Sequence, residues 1–251
     1  MRLGLVLGAA AVLAACAGGG GRSPSPREAA RANVQLGVAY MQQGQLALAK
    51  EKLERAVKQD PRGAEVHTAL AYLNERLDRP AEAEAAYKLA LKLSPGNSEV
   101  ANNYAVFLCR SGKVEDALRQ FESAMRDRLY ATPWAAYANA GVCLRSAGRG
   151  GEAVALLQQA IAIRPNYTPA VFELADLQLE LGSPGVAGQV VDRYLALGLV
   201  APDVLLAGIR AAMARQERPA ALTLARRLKR EFPESAQMRE ALGVLGEGPQ
   251  P

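Results

Sequence analysis

The chain has 251 residues, half of them hydrophobic and only 5% aromatic, with 30 Lys and Arg against 25 Asp and Glu for a net charge of +5. The basic residues are scattered along the chain and not massed, so the excess reads as a solvated surface and speaks against nucleic acid, while an anionic partner surface stays compatible with it. A single histidine, and the lack of any GxxxxGK, G-x-S-x-G or HExxH motif, argue against an enzyme and against a metal site.

The first element is an export signal. Met1 and Arg2 precede uncharged, mostly apolar residues from Leu3 to Ala15. As a helix this stretch reaches roughly 20 Å, short of the ~30 Å hydrocarbon core, so residues 1–15 are a cleaved signal and not a membrane span. It closes on Leu13-Ala14-Ala15-Cys16, which resembles the lipobox of bacterial lipoproteins. The resemblance implies a covalent lipid on Cys16, no other cofactor, and anchoring to a bilayer by several acyl chains. The competing reading is a soluble periplasmic protein cut near Ala15. Ala17, where an Asp would resemble an inner-membrane retention signal, points to the periplasmic face of the outer membrane. Loss of Arg2 with the signal lowers the net charge from +5 to +4. The run AGGGGRSPSPR after Cys16 has nothing to bury and reads as a flexible tether of about 18 Å. Cys16 and this tether are assigned to 16–29.

From Ala30 the chain repeats every 34 residues, with two extra residues at Thr132-Pro133. Position 8 is small: Gly37, Ala71, Ala105, Gly141 and Ala175. Position 20 is Ala49, Ala83, Ala117, Ala153, Ala187 and Ala221, and position 27 is Ala56, Ala90, Ala124 and Ala160. Position 24 is larger: Leu53, Tyr87, Phe121, Leu157 and Val191. Gly44, Gly112, Gly148 and Gly182 occupy position 15, and Pro61, Pro95, Pro165 and Pro233 occupy position 32. The pattern resembles the tetratricopeptide repeat (TPR) and covers residues 30–235 as six units. It implies an all-α solenoid superhelix of antiparallel helix pairs that cross closely at the small residues, turn at the glycines and stop at the prolines. Unit six fits least well, with Gly208-Ile209 at positions 7 and 8 and Ala225 at position 24. Beyond it, Met238, Ala241, Leu242 and Leu245 recur at helical spacing behind Ser235 and predict a capping helix, so 236–251 is read as cap and frayed tail.

His67 falls at position 4 of unit two, with Gly63 and Ala71 as its helical neighbours, so a packing role outweighs a ligand or general base. Cys109 and Cys143 lie on first helices of successive units. An oxidising periplasm favours a disulfide between them, closing about 35 residues; the alternative is two buried thiols.

Solenoids of this kind expose a concave groove at positions 2, 5, 9 and 12 of the first helices. Arg31, Val34, Val38 and Met41 fill these in unit one, Glu65, Thr68, Tyr72 and Glu75 in unit two, and Glu99, Asn102, Val106 and Cys109 in unit three. Asn103 and Asn139, at position 6, offer hydrogen bonds to a peptide backbone. Val34, Val38 and Met41 form an apolar strip for a peptide segment, unless residues 17–29 fold back over it. The segments Asn102-Asn103-Tyr104, Phe107 to Gly112, Asn139 to Cys143 and Arg230 to Ser235 resemble the type IV pilus biogenesis lipoproteins of the PilF/PilW pilotin family. That resemblance implies a monomeric scaffold that binds the pilus secretin, helps it reach the outer membrane and promotes its multimerisation. The alternative is an adaptor for a periplasmic protease or cell-wall enzyme.

Overall fold

The computed structural model describes residues 24–246. The signal at 1–15, the lipidation site Cys16, the tether up to residue 23 and the tail beyond 246 lie outside the described residues. The described residues form thirteen α-helices and no strand. In unit one, α1 (Pro26–Gln42) pairs with α2 (Leu46–Gln59), and in unit two α3 (Ala64–Arg76) pairs with α4 (Pro80–Leu93). Units three and four are α5 (Ser98–Arg110) with α6 (Val114–Arg126) and α7 (Pro133–Ser146) with α8 (Gly150–Ile163). Units five and six are α9 (Thr168–Glu180) with α10 (Pro184–Ala196) and α11 (Pro202–Ala214) with α12 (Arg218–Glu231). The cap, α13 (Ala236–Leu245), packs on α11 and α12. Each first helix also touches the first helix of the next unit, which makes the stack an all-α solenoid.

The hairpins close through matched sizes at positions 8 and 24. A methyl added at Gly37 would fall 2.8 Å from Leu53 Cγ, and one added at Gly141 would fall 2.7 Å from Leu157 Cγ. Glycine is therefore required where the facing residue is Leu. Where the facing residue is the flat ring of Tyr87 or Phe121, or the shorter Val191, position 8 is Ala71, Ala105 or Ala175, each fully buried. Unit six reverses the arrangement: position 8 is Ile209 and position 24 is Ala225, both in one core cluster with Leu228. Its poor match to the repeat is a size exchange across the same interface. All six alanines at position 20 are fully buried.

Position 15 is left-handed in every unit. Gly44, Gly112, Gly148 and Gly182 have φ between +71° and +74°, and Asp78 and Gln216 adopt φ of 55° and 63° in the two units without glycine there. Pro61, Pro95, Pro165 and Pro233 each directly follow the C-cap residue of a second helix.

One boundary moves. The tether was assigned to residue 29, but α1 begins at Pro26, because Ser25 and Glu28 form a reciprocal capping box and proline is favourable in a first helical turn. After unit three, α6 stops at Arg126 and the two extra residues place Thr132 as the N-cap residue and Pro133 as the first residue of α7. Leu129, where four of the other five units have proline and unit five has Leu199, stands 93% exposed in the loop between them.

First helices run parallel to one another and antiparallel to second helices. Arg31 and Glu65 sit at the same level on α1 and α3, 3.7 Å apart, and Asp203 accepts from Gln237 at the starts of α11 and α13 at 2.5 Å. The start of α1 and all inter-unit loops therefore share one edge of the solenoid. Arg27, in the first turn of α1, is 3.6 Å from Asp60 at the end of α2 on that edge. The six tight turns at position 15 share the opposite edge.

Candidate partner-binding groove

The first helices of units one to three curve around a groove of about 850 Å³. Val34, Val38, Ala69, Tyr72 and Val106 supply its apolar surface; Arg31, Glu65, Thr68 and Asn103 line it with polar groups. Tyr72 keeps 36% of its surface exposed, the largest apolar side chain offered to an occupant. One side is stiffened by a relay. The Tyr87 hydroxyl donates to Glu75 Oε1 at 2.7 Å, and Arg110 Nη1 lies 3.3 Å from Glu75 Oε2. Burial, with the Glu75 carboxylate beside it, pushes the Tyr87 phenol far above its usual pKa, so it stays a donor.

Three residues expected in the groove, Met41, Asn102 and Asn139, lie elsewhere, while Val34 keeps only an edge on its wall. Met41 is fully buried and Val34 nearly so, both in a core cluster with Val66, Ala69 and Leu73 of α3. The first helix of unit two covers most of the apolar strip of unit one, and only Val38 remains half-buried at the surface. Asn102 is buried, and its Oδ1 accepts from Asn139 Nδ2 at 3.1 Å. These two amides bind units three and four together, and Asn102 borders a separate cavity of about 480 Å³. The groove residues brought together are thus Arg31, Val34, Val38, Thr68, Tyr72, Glu75, Asn103 and Val106.

Cys109 and Cys143 are joined by a disulfide with Cα atoms 5.8 Å apart, linking α5 to α7. His67 is buried, and its Nε2 lies 2.9 Å from the Pro61 carbonyl, to which it donates across the preceding inter-unit loop.

Beyond the disulfide, ion pairs occupy the inner face. Arg145 on α7 reaches Glu173 at 2.7 Å and Asp176 at 2.6 Å, and also pairs with Glu180, all three on α9. Asp176 is shared with Arg210 of α11 at 3.0 Å, and Arg210 pairs with Glu240 of the cap. Apart from Glu240 in the cap, these residues fall at positions 6, 9, 12 and 13 of units four to six. The signal in the sequence is opposite charges recurring at inward-facing positions of units four to six. No buried side-chain N or O among the described residues lacks a partner, and none of their helices is long and apolar enough to cross a membrane. The open part of the inner face can hold a chain segment by packing against Tyr72, Val38 and Val106 and by hydrogen bonds from its polar residues.

Sequence profiles of the tetratricopeptide repeat match residues 34–98 and 108–168, and residues 76–137 and 144–198. The chain is 30% identical over 245 residues to the type IV pilus assembly protein PilF of Pseudomonas aeruginosa, covering 96% of this chain and 97% of that one. The crystal structure of PilW, a widely conserved type IV pilus biogenesis factor, superposes with a TM-score of 0.70 at 29% identity, covering 85% of this chain and 98% of that one. The solved structure of Pseudomonas aeruginosa PilF gives a TM-score of 0.68 at 29% identity, over 88% and 99% of the two chains.

Proposed function

Since the chain belongs to the tetratricopeptide-repeat family, and within it to the PilF and PilW type IV pilus biogenesis proteins, we propose that it acts in pilus biogenesis as an outer-membrane pilotin, a lipid-anchored scaffold for the pilus secretin. The observation that carries this reading is the groove. It is open over units one to three and closed by ion pairs over units four to six, so one end of the solenoid takes a guest and the other holds shape. A lipid on Cys16 supplies the address, residues 17–25 supply reach, and the groove takes a secretin segment. Capturing several subunits at one membrane raises their local concentration and favours ring closure. Such a scaffold needs no covalent chemistry of its own.

The test is deletion of the gene, scored for secretin multimers in the outer membrane and for surface pili. Loss of both, restored by the wild-type chain and not by Tyr72→Arg, is the expected result. Tyr72 is partly exposed, so this substitution leaves the core intact while placing a charge on the apolar surface of the groove. Normal multimers in the deletion strain would remove the pilotin role. A pull-down that recovered a cell-wall hydrolase in place of the secretin would redirect it.

A further inference from the structure

The loop between α6 and α7 is tied down at its base and apolar at its tip. Ser98 Oγ donates to Asp127 Oδ2 at 2.6 Å, and the Leu129 amide donates to Asp127 Oδ1 at 2.8 Å. These two hydrogen bonds to one carboxylate fix the turn and hold Leu129 outward, 93% exposed. Arg128 beside it is exposed and has no carboxylate partner among the described residues. Behind the loop, Tyr130 and Trp134 are half-buried. The Arg164 guanidinium lies over the Trp134 ring at 4.5 Å and hydrogen-bonds Asn166 at 3.2 Å, with no carboxylate partner among the described residues. The neighbouring Ile163 is 44% exposed.

An outward leucine, ring edges at half depth and two uncompensated guanidinium groups are the side chains that favour the boundary between acyl chains and anionic headgroups. All of them lie on the edge that carries the inter-unit loops, the same edge on which α1 begins. We propose that this edge, centred on Leu129, seats on an anionic phospholipid surface, with Leu129 entering the acyl boundary and Arg128 and Arg164 meeting headgroup phosphates. The orientation rests on the lipid anchor of the proposed function; the contact itself rests on the loop.

Trp134 is the only tryptophan of the chain and reports directly on the seating. The mature chain is purified from bacterial membranes and combined with phosphatidylethanolamine–phosphatidylglycerol vesicles carrying brominated acyl chains. Two readouts are taken, flotation with the vesicles and quenching of Trp134. The expected result is quenching of about twofold or more, weakened in phosphatidylcholine vesicles and lost in Leu129→Glu and in Arg128→Glu. Both positions are exposed, and circular dichroism of the variants verifies that they fold. A wild-type chain that floats without quenching keeps the anchor and overturns the seating. A chain that carries no lipid yet is quenched when added to preformed vesicles keeps the seating and overturns the anchor. Quenching that survives Leu129→Glu, or a Leu129→Glu chain that loses capture of a secretin fragment while its quenching is unchanged, overturns the assignment of this loop to lipid.

Discussion

Gly148 has φ of +74° and open space around the position of a side chain, whereas Gly151, three residues on, lies in the first turn of α8 with equally open space and no positive φ. Substituting each by alanine therefore separates backbone conformation from packing. Gly148→Ala should lower stability by about 1–2 kcal/mol, and Gly151→Ala should raise it by up to about 1 kcal/mol, both read from urea midpoints. Glu84 gives a second single-residue test. Hydrogen bonds from Lys113 and Lys88 hold its carboxyl down at about 2, against an ordinary 4.5. A carboxyl depressed in the folded state stabilises above its unfolded pKa, and that contribution fades as the pH falls from about 4.5 toward 2. The pair is partly solvated, so its worth is on the order of 1 kcal/mol. Wild type should exceed Glu84→Gln by that margin at pH 7, and the gap should narrow progressively below pH 4.5. At this scale the sequence was most readable where a residue type has one use. Glycine at position 15 announced a left-handed turn; Asp78 and Gln216, which adopt the same backbone, gave no such sign. His67 read as structural from its unreactive neighbours, but its bond to the Pro61 carbonyl depends on how two units meet, which no local pattern specifies.

Within a helix pair, the crossing depends on complementary size, and unit four tests this directly. In Gly141→Ala the new methyl meets Leu157 Cγ at 2.7 Å and the Ala153 carbonyl at 3.3 Å. The substitution should cost about 1–3 kcal/mol by overpacking. Adding Leu157→Val reproduces the Ala175 and Val191 combination of unit five and should recover part of the loss; a thermal melt of the single and double variants measures both. Helix boundaries were legible at Pro61 and at Ser235, whose hydroxyl accepts from the Met238 amide. The start of α1 was placed four residues late because Gly, Ser and Pro dominate its approach, and composition hid a capping box formed by Ser25 and Glu28.

Across the whole molecule, the disulfide spans the junction where the two extra residues interrupt the period. It closes 34 residues of sequence separation. Its loss in Cys109→Ser, or under reduction, should lower stability by roughly 3–4 kcal/mol, the loop-closure value for a chain of this length. Hydrogen exchange should show the change concentrated in α5 to α8 and fading toward the ends, because each unit leans only on its neighbours. The superhelix followed from the 34-residue period and its resemblance to the tetratricopeptide repeat, and the capping helix from the helical spacing of apolar residues behind Ser235. The division of the inner face did not, because it depends on which side chains meet once the stack curves. Met41 vanishes beneath α3 and Asn102 spends its amide on Asn139, while Arg145 gathers three acids from the next unit.

The size exchange between Ile209 and Ala225 also limits how this array can be recombined. A gene crossover that swapped one whole hairpin for another would carry a matched large and small residue together. A crossover landing inside the tight turn of unit six would instead join Ile209 to a second helix bearing Leu or Phe, placing two bulky groups where one fits, or leave Ala225 facing a glycine across an empty space. Duplication and shuffling of this array are therefore expected to respect hairpin borders, so that the hairpin, and not the single helix, is the unit of inheritance.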